Sequence, residues 1–107
     1  MDKLQAMHVF QSVVDEGGFA AAARALDMSA AGVTRYVSEL ESDVGARLLQ
    51  RTTRKVSLTD AGEAYLARVR HILNDVEDAR SVAQAHTMEV AGMLRVIASP
   101  LLATHLL

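Results

Sequence analysis

Apolar residues along this chain fall into short stripes at helical spacing, separated by glycines and polar breaks. From Asp2 to Glu16 the set Leu4, Met7, Phe10, Val13 and Val14 predicts a first helix, and Gly17-Gly18 ends it as a C-cap would. An alanine-rich run from Phe19 to Leu26 predicts a second, compact helix that stops at Asp27-Met28. Ser29 then opens a third helix over about 30–44, in which Val33, Val37, Leu40 and Val44 form one apolar stripe. Gly45 sits where that helix should close. From Ala46 to Ser57, two short extended pieces flank a tip of threonines and basic residues, the pattern of a β-hairpin or wing. Thr59-Asp60-Ala61-Gly62-Glu63 opens a long helix, with Thr59 as cap and Asp60 and Glu63 at the positive end of its dipole.

The third helix has an unusual second face. Ala31, Thr34, Arg35 and Ser38 lie opposite the apolar stripe, small and free of acids, where a solvated face ordinarily carries long mixed charges. Such a face suits a narrow, negatively charged slot, and the DNA major groove admits one α-helix. The second and third helices together read as a helix-turn-helix with a recognition helix over about 30–44.

Along the fourth helix Tyr65, Val69, Ile72, Val76, Ala79 and Ala83 keep a heptad seam, with Leu66 and Leu73 beside it. A helix over 60–90 would be about 46 Å long, too long to bury that seam against so small a head, so a dimer through this helix is expected. The last piece is expected to differ. Leu94, Val96 and Ile97, bounded by Gly92 and Pro100, read as a strand, and the chain reads as cut just inside a further domain.

Composition adjusts this picture in two places. A length of 107 residues allows one ordinary domain, or a small domain with an extension, and the lack of cysteine fits a reducing cytosol without disulfides. No leader or bilayer-length apolar run is evident, so neither export nor a membrane is expected. The net charge of -2 argues against nucleic acid if taken globally, but its distribution does not. Arg47, Arg51, Arg54 and Lys55 form an acid-free basic stripe in the wing, enough for phosphate contact. Glu39, Glu41 and Asp43 read as a surface charge run, with no converging pair for catalysis. Neither a glycine-rich phosphate loop nor a Gly-x-Ser-x-Gly elbow is present, so no enzyme, catalytic residue or cofactor is expected. His8, His71, His86 and His105 are scattered and suggest no metal site. Arg24 and Arg47 read as partners in surface ion pairs.

The ordered set Phe19-Ala20-Ala21-Ala22-Ala23-Arg24-Ala25-Leu26, the Ser29-opened helix with Val33-Thr34-Arg35, Leu40-Glu41 and Val44-Gly45 resembles the LysR-type transcriptional regulators. Leu48 to Thr59, followed by Ala61-Gly62, resembles that family's wing and its entry into a linker helix, and Gly92-Met93-Leu94-Arg95-Val96 resembles the start of its effector-binding domain. The resemblance implies a mainly α chain in three parts. Residues 1–59 would be a winged helix-turn-helix, 60–91 a linker and dimerisation helix, and 92–107 the start of a truncated α/β effector-binding domain.

It also implies binding to an inverted repeat in double-stranded promoter DNA, as a homodimer or, in the full-length protein, a homotetramer. A small-molecule co-inducer would bind only the missing domain. Carried over residue by residue, DNA contact falls to Ser29, Ala30, Ala31, Thr34, Arg35 and Ser38 on the recognition helix and to Arg51, Thr53, Arg54 and Lys55 in the wing. Arg54 would reach the minor groove. Ala30-Ala31 stand where the family often has Gln-Pro, which would move readout there towards apolar contact such as a thymine methyl. Two other readings stay open: a protein-docking and dimerisation module, and an architectural DNA binder without sequence preference.

Overall fold

The computed structural model describes residues 1–51 and 55–98, in two units: a head, Met1–Leu73, and a second unit from Asn74 on. The order is α1 (Lys3–Glu16), α2 (Phe19–Leu26), α3 (Ala30–Val44), β1 (Leu49–Gln50), β2 (Ser57–Leu58) and α4 (Asp60–Ala98). It is a mainly helical winged helix-turn-helix followed by a long helix.

Each boundary has a local cause. The Asp2 carboxylate caps α1 by accepting from the Gln5 N–H at 3.1 Å, and Gly17 ends the helix at φ 84° with its own N–H turned back to the Val13 carbonyl. Asp27 ends α2 in the left-handed region at φ 54°, a conformation that aspartate tolerates better than most side chains. The Ser29 hydroxyl oxygen accepts from the Gly32 N–H at 3.0 Å and starts α3, and Gly45 closes it at φ 71°. The turn between the two helices is therefore only Asp27-Met28-Ser29.

Three helices and the wing share one core. Phe10 and Val13 of α1, Ala22 and Ala23 of α2, Val33, Val37 and Leu40 of α3, and Leu48 and Leu49 at the wing base are all buried. Alanines at the α2 positions leave room for α1 and α3, since a core filled to native density has no space for larger groups there. The wing is a two-stranded antiparallel ladder in the register Leu49↔Leu58 and Gln50↔Ser57.

Three expectations change. Val44 is exposed, because the core ends one turn earlier; the buried stripe of α3 is Val33, Val37, Leu40 and, unexpectedly, Glu41. The strand expected at Leu94, Val96 and Ile97 does not form, because α4 runs through Gly92 to Ala98. A lone strand would leave its backbone groups unpaired, while a helix pairs them within itself at the cost of one glycine, about 1 kcal/mol. Two members of the seam are spent inside the head. Val69 is fully buried, and Tyr65 packs on the head core with its ring 5.8 Å from Phe10.

Candidate nucleic-acid interface

The outward face of α3 is built as the sequence suggests. Ser29, Ala30, Ala31, Thr34, Arg35 and Ser38 are all exposed along it. The Thr34 hydroxyl donates to the Ala30 carbonyl at 3.0 Å, which spends its proton inside the helix and leaves its oxygen as an acceptor. Arg35 makes no ion pair among the described residues, although Glu39 follows one turn later on the same helix. The cation on this face is therefore uncommitted and has five N–H donors to offer.

In the wing the basic residues separate into different roles. Thr53 and Arg54 lie outside the described residues. Lys55 is exposed in a bend two residues before β2. Arg51 is engaged: its Nη2 donates to Glu41 Oε1 at 2.6 Å, and its guanidinium lies over the Phe19 ring at 5.6 Å from the centroid. Arg47, as expected, is a surface ion-pair partner, 3.6 Å from the same carboxylate. The acid-free stripe of the sequence thus reaches an acid from another element, and the two arginines nearest the wing base are partly neutralised.

Sequence reading missed Glu41, placing it in a solvated charge run. It is buried, and its Oε2 accepts from the Leu48 N–H at 2.8 Å and the Leu49 N–H at 3.3 Å. The available signal was its spacing: eight residues after Val33, it falls on the apolar stripe rather than opposite it. Thr59 was foreseen as a cap but not as a bridge. Its hydroxyl accepts from the Gly62 N–H at 2.9 Å and donates to the Arg47 carbonyl at 2.6 Å, while its N–H donates to the Leu48 carbonyl at 3.0 Å. Gly62 allows that approach, since a Cβ there would overlap the Leu48 carbonyl.

The remaining seam residues Ile72, Val76, Ala79 and Ala83 are exposed. Among the described residues no histidine or carboxylate cluster is placed to hold a metal, and no helix is long and apolar enough to cross a membrane.

The family model described as "Bacterial regulatory helix-turn-helix protein, lysR family" matches residues 4–63, from α1 to the first turn of α4. The chain belongs to this family. Among its relatives, the HTH-type transcriptional activator AaeR of Escherichia coli (strain K12) is 38% identical over 107 residues, 100% of this chain and 35% of that protein. An HTH-type transcriptional repressor of Pseudomonas aeruginosa (strain UCBPP-PA14) is 44% identical over 96 residues, 90% of this chain and 30% of that protein. This chain spans about a third of the length of the curated relatives it matches. In structure it is similar to the BenM_DBD/benA site 1 DNA complex, with 28% identity and a TM-score of 0.77 over 81% of this chain and 97% of that chain. CbnR, a LysR family transcriptional regulator, is 35% identical with a TM-score of 0.73 over 79% of this chain and 29% of that chain.

Proposed function

We propose that this chain is the DNA-reading part of a LysR-family transcription regulator. In this reading α3 enters the major groove of a promoter inverted repeat, the wing tip follows the adjacent minor groove, and two chains pair through α4. The single observation that carries it is the outward face of α3: small side chains around an uncommitted Arg35, at the centre of a fold shared with DNA complexes of BenM_DBD. Ser29 and Thr34 offer oxygens at the front of that helix, Arg35 reads a base edge, Ala30 and Ala31 give apolar contact, and Ser38 follows one turn on. Thr53, Arg54 and Lys55 supply the wing contacts.

Residues 1–59 form the reading head in this proposal, and the exposed seam from Ile72 to Ala83 meets a second copy. Whether two or four copies assemble, and which small molecule is sensed, are properties of the whole regulator, with the sensing placed outside the reading head. Its cellular place follows its target, in the cytoplasm, and its work is binding rather than catalysis.

Selection of bound duplexes from a random DNA pool at near-physiological salt tests the proposal. Enrichment of a two-fold-symmetric motif with fixed half-site spacing is the expected result. Binding without enrichment would leave an architectural binder, and no retention would leave a protein-docking module.

A further inference from the structure

Glu41 is an acid where the fold has no need of one for burial. A buried carboxylate is costly unless it is paired and hydrogen-bonded, and this one is met on both oxygens. Oε2 takes the N–H groups of Leu48 and Leu49, the residue before β1 and the first residue of that strand. Oε1 takes Arg51 at 2.6 Å, and Arg47 stands 3.6 Å away. Charge-assisted bonds of this kind are short and directional. They join the last turns of α3 to the first strand of the wing, two elements that the chain itself connects through Gly45-Ala46-Arg47-Leu48.

We propose that Glu41 is a positioning residue for DNA recognition: it fixes the angle of the wing to the reading helix, and Arg51 serves it as counter-ion rather than as a phosphate contact. This rests on the DNA-reading function above. The geometry supports both halves. Arg51 is held between the Glu41 carboxylate and the Phe19 ring, with only a third of its side chain exposed, so its position and part of its charge are already committed within the head. Glu41 itself is buried and touches no outward surface of α3, so its effect on DNA passes through the wing alone.

The test is a salt-titrated binding series on the 107-residue chain, using the duplex recovered by selection and a scrambled duplex of equal length. Arg51→Gln keeps an N–H donor for Glu41 but removes the charge. Its plot of log affinity against log salt should keep the parent slope, whereas loss of a true phosphate contact lowers the slope by about 0.9. Glu41→Gln should reduce the ratio of selected to scrambled affinity about ten-fold or more, with the Leu48 and Leu49 amides exchanging hydrogen at least about ten-fold faster.

A slope reduced by about one in Arg51→Gln overturns the counter-ion role, even if Glu41→Gln does not fold. An unchanged affinity ratio in a folded Glu41→Gln chain overturns the positioning role. If the parent itself selects no duplex, the DNA-reading function fails instead, and unchanged amide exchange in Glu41→Gln would then separately show that Glu41 does not hold the wing.

Discussion

Arg35 and Arg51 have the same side chain and opposite circumstances. Arg35 stands on an exposed face without an ion pair among the described residues, while Arg51 is bound to a buried carboxylate. Arg35→Ala should therefore cost on the order of 1–3 kcal/mol of DNA affinity and relax preference at one base step, measured by titration against single-position variants of the selected duplex. A uniform loss across all variants would mean a phosphate contact instead. Gly62 makes a second prediction at this scale. In an ordinary helix interior, glycine to alanine stabilises by about 1 kcal/mol. Here the added Cβ would meet the Leu48 carbonyl, so Gly62→Ala should destabilise by about 1–3 kcal/mol, read as a lowered midpoint of thermal unfolding. A raised midpoint would show that α4 can withdraw from the wing base at little cost. Tyr65 carries a pH signature. Burial, and secondarily the Asp43 carboxylate, raise its phenol above the ordinary 10.0. Its neutral form is the one the fold favours, so its contribution is fully present below pH 10.0 and is lost as pH rises through the raised value. Tyr65→Phe should flatten the alkaline fall in stability, followed by circular dichroism.

At the scale of elements, the helices were legible because each has both a stripe and punctuation. Ser29 and Gly45 bracket α3 at the residues where the sequence places its ends, and Gly17 does the same for α1. Ser29→Ala should accordingly cost about 1 kcal/mol of stability through the lost cap. The wing was legible from its strand-turn-strand pattern, and its short ladder agrees. What the sequence did not disclose are the contacts between elements. Glu41 and Arg51 are ten residues apart, and nothing local announces that one is the partner of the other. The strand expected near Leu94 failed for a related reason. Leu94, Val96 and Ile97 suit a strand as residue types, but a strand exists only with a neighbour, and helix continuity needs none. The face of α3 was read correctly as exposed because its composition differs from a solvated face.

For the whole molecule, the seam of α4 has to be read in two parts. Tyr65 and Val69 belong to the head, and Ile72 to Ala83 are the part available to another chain. Ile72→Asp combined with Val76→Asp should therefore yield folded monomers in light scattering, with most specific affinity lost because two half-sites act as linked binding events. Val69→Asp should unfold the head instead, since it places a charge at a fully buried position. Unchanged dimer mass in the double variant would remove the seam as the interface. The junction at Arg47-Leu48-Leu49 has a mechanical meaning as well. Glu41 holds it from the side of α3, and Thr59 and Gly62 hold it from the side of α4. A torque applied to the first turn of α4 would thus pass through these contacts to the base of the wing and, by way of Glu41, to the reading helix, as a wrench turns a bolt. Under the proposed function, a change arriving through α4 would therefore act on DNA by turning a whole head against the spacing of its half-sites, with the reading surface of that head unaltered.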